Sequence, residues 1–183
     1  MKKRIVSITL ALIIVTAMAG TSMAWQSYIA EKSVSQLNME TVKVEVIENG
    51  FTYINGAEES TYKKNMEVRS SGTGKTYVRV RLIPQWSEAS LPVSNINLNL
   101  SGNSNWTKKQ SDGYYYFKYY LRKDQVTSSL LEGITIKDLD SDYDKAQFTL
   151  KIVAEGVQIN QDALEAVWGL TKLPFNPEEA WIP

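Results

Sequence analysis

The stretch that decides the fold lies near the middle of the chain and reads Lys75-Thr76-Tyr77-Val78-Arg79-Val80-Arg81-Leu82-Ile83-Pro84. Its side chains alternate in character, as they do in a β-strand, where neighbouring residues point to opposite faces of the sheet. One face would carry Thr76, Val78, Val80 and Leu82, and the other Tyr77, Arg79, Arg81 and Ile83. The sequence therefore predicts a strand over residues 75–84 that buries one face.

The same period of two recurs on both sides of this stretch. It marks residues 41–48, 95–100, 114–121 and 146–155. Helical patterns are confined to two short stretches, residues 124–132, which Gly133 would end, and residues 161–168. About eight short strands separated by turn residues predict an all-β fold, an antiparallel β-sandwich with one or two short helices.

Turn residues predict how some of these strands are joined. Asn49-Gly50 is a strong hairpin signal and predicts that residues 41–48 pair with residues 51–54. Residues 57–65 are polar and charged, and the sequence predicts a loop there. Ser111-Asp112-Gly113 predicts a second hairpin, between residues 106–110 and 114–121.

The first residues have the three-part layout of a secretory signal. Lys2, Lys3 and Arg4 form a positive head, residues 5–19 carry no charge, and small residues Ser22 and Ala24 precede Trp25. The uncharged run is shorter than the ~20 residues of a membrane span, although an uncleaved N-terminal anchor is the alternative. We therefore expect a signal peptide with a cleavable signal helix over residues 1–24, an N-terminal segment over 25–40, a sandwich domain over 41–170 and an extended tail over 171–183.

Composition limits the classes of function. The chain has no histidine and no cysteine, so it cannot build a Ser-His-Asp triad, a Cys-His pair or an ordinary zinc site. The chain carries 20 basic and 20 acidic residues. Loss of the signal would remove three basic ones and leave a mildly acidic protein. We therefore expect that the protein is not an enzyme and binds no cofactor. We also expect that it has no nucleic-acid partner and contacts a membrane only before signal cleavage.

An acidic loop is a candidate cation site. Asp138, Asp140, Asp142 and Asp144 alternate as the oxygen ligands do at the start of a calcium loop. Tyr143 stands where such a loop needs glycine, and Thr149 stands where it needs glutamate. The sequence leaves two interpretations, a weak calcium site and a solvated acidic turn, and favours the second.

The strand over residues 114–121 is rich in tyrosine. Alternation predicts Tyr114, Tyr116 and Tyr120 on one face and Tyr115, Phe117, Tyr119 and Leu121 on the other. An exposed row of tyrosines would stack on sugar rings or on a neighbouring subunit, whereas aromatic residues are also common in strands simply because they pack well there. On the strand over residues 75–84, Arg79 and Arg81 would either bind an anion or pair with carboxylates across the sheet.

Several of these pieces occur together in a known family. They are Ser22-Met23-Ala24-Trp25, Val42-Lys43-Val44-Glu45-Val46, Tyr77-Val78-Arg79-Val80-Arg81, Asp112-Gly113-Tyr114-Tyr115-Tyr116, Ala154-Glu155-Gly156-Val157-Gln158 and Trp168-Gly169. In this order they resemble the TasA/camelysin-like family of bacterial exported proteins, and especially its clostridial BsaA-like branch of alternate signal-mediated exported proteins. The resemblance covers nearly the whole chain.

The resemblance implies a jelly-roll domain, release by a SipW-type signal peptidase, and assembly into extracellular fibres of a biofilm matrix by donor-strand exchange. The segment after residue 24 is mostly polar, with isolated apolar residues that would anchor it in a neighbouring copy: Trp25, Tyr28, Ile29, Val34 and Leu37. Head-to-tail insertion does not close on itself and therefore builds a filament. The implied partners are other copies of the chain, the signal peptidase and an accessory fibre subunit, and the implied location is secreted, in the extracellular matrix or at the cell surface.

Two other functions remain open at this point. A monomeric surface adhesin or carbohydrate-binding module would use the tyrosine-rich strand. A camelysin-like secreted metallopeptidase would need a bound metal, and the lack of histidine and cysteine disfavours it.

The signal layout generates a first prediction, that the secreted protein begins at Trp25. Ser22 and Ala24 supply the small residues that a signal peptidase reads, and Gly20 interrupts the apolar run before them. Mass spectrometry of the secreted protein should find this N-terminus. A protein that begins at Met1, or later than Gln26, contradicts the prediction.

Overall fold

The computed structural model describes residues 40–55 and 58–177. These residues form eight strands: β1 (Val44–Gly50), β2 (Ile54–Asn55), β3 (Ser60–Ser70), β4 (Thr76–Trp86), β5 (Ile96–Leu100), β6 (Tyr115–Tyr116), β7 (Leu131–Ile136) and β8 (Gln147–Gln158). A 3-10 turn spans Ser141–Tyr143, and a helical segment begins as α1 (Gln161–Ala163) and ends as a π-helical turn, Leu164–Trp168. Within the described residues, no helix has the length and apolar character needed to cross a membrane.

The strands form two four-stranded sheets that pack face to face. One sheet has the order β1-β3-β7-β5 and the other the order β2-β8-β4-β6. Every ladder within the described residues is antiparallel. Odd-numbered strands lie in one sheet and even-numbered strands in the other, so each connection crosses from sheet to sheet. The predicted jelly-roll-like antiparallel sandwich is confirmed.

The longest ladder joins β4 to β8. It runs without interruption from Thr76↔Gln158 to Trp86↔Phe148. Thr76 exchanges both of its backbone hydrogen bonds with Leu121, on the side of β4 away from β8. Residues at even positions of β4 therefore direct their backbone groups away from β8. Pro84 is one of them, so its missing N–H leaves the β4–β8 ladder intact.

The core lies between the two sheets and contains the predicted apolar face of β4. Val78 and Val80 are fully buried, and Thr76 and Leu82 are also buried. At one end of the core, the Trp86 ring lies 5.2 Å from that of Phe148 and 4.9 Å from that of Tyr143, in edge-on contacts. The alternation predicted for residues 75–84 is therefore confirmed. Its apolar face lies in the core, and its other face lies on the outer side of the sheet.

The hairpin predicted at Asn49-Gly50 is wrong. Gly50 does adopt a left-handed conformation (φ 111°), but β1 pairs with β3, and the chain after Gly50 crosses to the other sheet, where β2 pairs with β8. The centre of the Phe51 ring lies 6.1 Å from that of Phe148, and this contact holds the chain after Gly50 against the other sheet. The loop predicted over residues 57–65 is likewise wrong from Ser60 onward, where β3 begins.

The two predicted helices have opposite outcomes. Residues 124–132 are not helical, because the Thr127 N–H donates to the Val68 carbonyl (2.9 Å) and β7 begins at Leu131. The helix over residues 161–168 is confirmed. Asn160 caps it by accepting a hydrogen bond from the Ala163 N–H (2.7 Å), and Gly169 ends it in a left-handed conformation (φ 68°).

Gly133, predicted to end a helix, instead lies inside β7 between Lys63 and Asn99 of the flanking strands, where both ladders change register. A Cβ at this position would lie 2.6 Å from the Tyr62 carbonyl oxygen. The sheet therefore needs glycine here.

The packing at Gly133 generates the second prediction. Gly133→Ala should lower the free energy of unfolding by about 1–3 kcal/mol, since a backbone carbonyl must move to admit the methyl group. Urea unfolding measures it. Gly102→Ala is the matched control, because nothing lies within 4 Å of its Cβ position, and it should leave stability unchanged or slightly raised. Equal stability of the two variants would contradict this account of the register change.

Candidate functional site

Several residues singled out from the sequence lie outside the described part of the chain. These are the signal-peptidase residues Ser22, Ala24 and Trp25 and the donor-strand anchors Trp25, Tyr28, Ile29, Val34 and Leu37. Their roles stay predictions. The described chain begins at Glu40, directly after this segment.

The acidic loop is organised by its own backbone. The Asp140 carboxylate accepts a hydrogen bond from the Asp142 N–H (3.0 Å) and caps the 3-10 turn. Asp138 adopts a left-handed conformation (φ 53°) at the preceding bend. Within the described residues, no three His, Cys, Asp or Glu side chains lie close enough together to hold a metal ion. Asp144 and the other aspartates of this loop are among the residues searched. All four aspartates of the loop are exposed, and the choice between a calcium site and a solvated turn stays a prediction.

The tyrosine-rich strand does not present an exposed row. The predicted alternation is confirmed, because Tyr115 and Phe117 lie in the central core while Tyr114 and Tyr116 lie on the outer face of β6. That outer face is covered, however, and Tyr116 is only 1% exposed. Its ring lies 5.6 Å from that of Trp168 and 6.0 Å from that of Phe175. Residues after β8 thus form a strap, residues 161–177, over this part of the sheet.

Arg79 fastens the strap. Its guanidinium lies 4.1 Å from the centre of the Tyr114 ring and 4.6 Å from that of Trp168. It also pairs with Glu155, its cross-strand neighbour on β8, through Nε at 2.9 Å and Nη2 at 2.7 Å. Of the two interpretations of Arg79, pairing across the sheet is therefore confirmed. The Arg81 guanidinium also lies over the Tyr114 ring, 4.2 Å from its centre.

The titratable groups around Arg79 neutralise one another. Burial alone would raise the pKa of Glu155, but hydrogen bonds from Tyr114 and Arg79 outweigh it and hold the pKa below its usual value. Burial and a hydrogen bond to Asp112 raise the pKa of Tyr116 to about 12. Since the pKa of Glu155 is lowered, its contribution to stability is present above its unfolded-state pKa and is lost as the pH falls through its folded-state pKa. The cluster therefore has a clear structural role in holding the strap.

A different feature, an open edge, lies on β8. β2 pairs with β8 only at Phe148 and Gln147. Beyond them, over residues 149–156, no described strand pairs with this side of β8. Because Leu150, Ile152 and Ala154 face even-numbered residues of β4, their backbone N–H and C=O groups point away from β4 and toward the open side.

The apolar side chains along this open side are incompletely covered. Val44 and Val46 of β1 and Ile152 and Ala154 of β8 pack against the core, yet each is half-buried. The side is closed at one end, where a Cβ on Gly156 would lie 2.8 Å from Val44 Cγ1, and at the other end by Phe51 against Phe148. We call this feature the β1–β8 cleft, defined by Val44, Val46, Leu150, Ile152 and Ala154.

The sequence did not single out the β1–β8 cleft as a site. Alternation in residues 146–155 does place Ile152 and Ala154 on the inner face, and the structure agrees. A period of two shows which face of a strand is apolar. It does not show which other strand lies beside that face and covers it. Only the pairing of β8 shows that part of its inner face lacks a neighbouring strand among the described residues.

A second groove, of about 600 Å³, borders the C-terminal half of β4. Its lining includes Leu82, Pro84, Val93 and Lys109. The Arg81 guanidinium donates to the Asp112 carbonyl (2.6 Å) at its margin, and Pro84 removes one backbone donor from this edge. The groove therefore offers fewer free backbone donors than the β1–β8 cleft.

Comparisons with protein-family models, with curated proteins and with solved structures found no match to this chain.

The Arg79 cluster generates the third prediction. Arg79→Leu should lower the free energy of unfolding by about 2–4 kcal/mol, because it leaves the Glu155 carboxylate partly buried without its cation. The double variant with Glu155→Leu should lose less than Arg79→Leu alone. Urea unfolding of both variants, with Lys43→Leu as control, tests this.

Lys43 is the matched control because its ion pair with Glu45 is exposed on both sides. Its loss should cost no more than about 1 kcal/mol. If Arg79→Leu costs no more than Lys43→Leu, the cluster does not fasten the strap as described.

Proposed function

We propose that the protein is a secreted structural subunit that polymerises head to tail into extracellular fibres of a bacterial biofilm matrix, with its mature N-terminal segment inserted as a strand into the next copy. The observation that carries the proposal is the edge of β8 over residues 149–156, with which no other strand of the described residues pairs on that side. An unpaired edge is a template for another strand, and proteins that do not assemble usually cover or charge it. The resemblance to the TasA/camelysin-like family points in the same direction.

The N-terminal segment has the composition of a donor strand. Residues 25–39 carry few apolar side chains, too few to build a core of their own, but Trp25, Tyr28, Ile29, Val34 and Leu37 suffice to anchor an extended strand. A head-to-tail contact of this kind leaves a free donor at one end and a free edge at the other. Growth therefore continues as a filament.

Signal cleavage would control this assembly. While residues 1–24 are attached, the segment that follows them is tethered to the membrane and is not free to enter a neighbour. A SipW-type signal peptidase would release it at Trp25. Polymerisation would then begin only after export, outside the membrane, and an accessory subunit would be a further fibre partner.

The alternative functions find less support. An adhesin or carbohydrate-binding module would use the tyrosines of β6, and Tyr114, Tyr115 and Tyr116 are buried. A metallopeptidase would use imidazole or thiolate ligands, which the composition does not provide. Neither alternative uses the open edge of β8.

The fourth prediction tests the donor segment. Ile29→Asp, or deletion of residues 25–37, should leave a folded but monomeric protein, because a carboxylate in an apolar groove costs more than loss of the side chain alone. Size-exclusion chromatography reports assembly and circular dichroism reports folding. Gln36→Asp, at a polar position of the same segment, should still form fibres.

Two results would contradict the donor assignment. One is fibre formation by the Ile29→Asp variant. The other is unfolding of that variant, which would mean that the segment belongs to the core of its own subunit.

A further inference from the structure

We infer that the groove beside the C-terminal half of β4 binds the segment that follows the strap in the same chain, residues 178–183, which lie outside the described part of the chain. We call this feature the β4 groove, defined by Arg81, Ile83, Pro84, Val93 and Lys109. Four observations carry the inference: the positive charge of the groove, the fixed position of one cation, the exposed apolar wall and the place where the strap ends.

The first observation is positive charge that has no acidic partner. Arg81 and Lys109 line the groove, and Lys151 is the register neighbour of Ile83 on the outer face of the sheet. Within the described residues, no carboxylate forms an ion pair with any of these three cations. The groove therefore presents charge that would attract an acidic ligand.

The carboxylates near the groove belong to the Arg79 cluster. Asp112 is part of the lining, but its carboxylate accepts a hydrogen bond from the Tyr114 N–H (3.0 Å) and lies 3.8 Å from the Arg79 guanidinium. The charge of Arg81 helps to lower the pKa of Glu155, yet the Glu155 carboxylate binds Arg79 (2.7 Å). The cations of the groove are thus left for another partner.

The second observation is that Arg81 is held in place before any ligand arrives. Its guanidinium lies over the Tyr114 ring, and its Nη2 donates to the Asp112 carbonyl (2.6 Å). Its Nη1 makes no hydrogen bond to a described residue and is therefore the donor that remains for a carboxylate. A guanidinium fixed in this way loses little conformational freedom when it binds.

The third observation is an apolar wall beside these cations. Val93 is 39% exposed, and Ile83 and Pro84 are half-buried. Pro84 also removes one backbone donor from this edge, so the groove suits a segment held by its side chains better than an added strand. An occupant with acidic and apolar groups next to each other would match both parts of the groove.

The segment that follows the strap has this composition. It reads Glu178-Glu179-Ala180-Trp181-Ile182-Pro183, with two carboxylates followed by two large apolar side chains. It contains no basic residue that would neutralise the carboxylates. Tryptophan also supplies the largest apolar area of any side chain for a contact with an exposed wall. Acidic and apolar groups are therefore adjacent in the segment, as their counterparts are in the groove.

The fourth observation is the place where the strap ends. The described chain stops shortly after Phe175, whose ring lies 6.0 Å from that of Tyr116. The Tyr116 ring lies 6.5 Å from that of Tyr114, and the Arg81 guanidinium lies 4.2 Å from the Tyr114 ring centre. Residues 178–183 span up to about 20 Å when extended, which is enough to reach the groove.

This attachment favours the same copy of the chain as the source of the occupant. A short tether keeps the segment at an effective concentration in the millimolar range, so contacts that are weak one by one suffice to hold it. A segment from a second copy would first have to displace it. Docking would extend the strap along the outer face of the sheet and close the β4 groove to other acidic ligands.

Fluorine NMR of protein labelled with 5-fluorotryptophan tests this contact. The sequence contains five tryptophans, and Trp181→Phe identifies the Trp181 signal by its loss. That signal should differ in chemical shift from the signal of a free synthetic peptide of residues 174–183 with the same label. The protein is the mature chain if it stays monomeric, and its Ile29→Asp variant if the mature chain polymerises.

Charge reversal in the groove provides the matched pair of variants. Lys109→Glu should move the Trp181 signal to the position of the free peptide. Lys108→Glu is the control, because Lys108 is also exposed but is not among the residues that line the groove, and it should leave the signal unchanged. Reversal of both Glu178 and Glu179 to lysine should have the same effect as Lys109→Glu.

Four results would overturn the inference. A Trp181 signal at the free-peptide position in the unaltered chain means that the segment does not dock. A distinct signal that ignores Lys109→Glu means that it docks elsewhere. Equal responses to Lys109→Glu and Lys108→Glu mean that charge acts without this groove, and a signal that moves on dilution assigns the segment to a second copy. Fibre formation is measured separately, so failure of the proposed function leaves this test intact.

Discussion

The β4–β8 ladder is the interaction on which the rest of this structure depends. Its register places Val78, Val80 and Phe148 in the core and, on the opposite face, sets Arg79 beside Glu155. A slip of one residue would exchange the two faces and destroy both the core and the ion-pair cluster. The same ladder fixes which backbone groups of β8 remain directed to its other side. One pairing therefore determines the packing, the strap and the open edge.

The two faces of the β2-β8-β4-β6 sheet are both occupied. The inner face packs on the other sheet, and part of the outer face lies beneath Trp168 and Phe175 of the strap, held by Arg79. With its tyrosines covered, β6 offers little for recognition by stacking. Within the described residues, the edge of β8 combines backbone groups that no strand pairs with and a partly covered apolar side chain, Ile152.

Local pattern was sufficient for the strand over residues 75–84 and for the helix after Asn160, because alternation and capping act within a few residues. Local pattern gave wrong predictions where contacts with residues distant in the sequence determine the structure. Asn49-Gly50 indicated a hairpin, but Phe51 packs on Phe148 in the other sheet. Residues 124–132 looked helical, but Thr127 bonds to Val68. Each connection crosses between sheets, so the neighbours of a strand, and hence its open edges, are not encoded nearby.

Amide hydrogen exchange tests the central claim most directly. The chain that lacks residues 25–37, and therefore cannot donate its own strand, would be measured with and without a synthetic peptide of these residues. The account predicts new protection at Leu150, Ile152 and Ala154, and no new protection at Lys151 and Val153, whose N–H groups already bond to β4. Protection on β5 instead, or no change along β8, would contradict it.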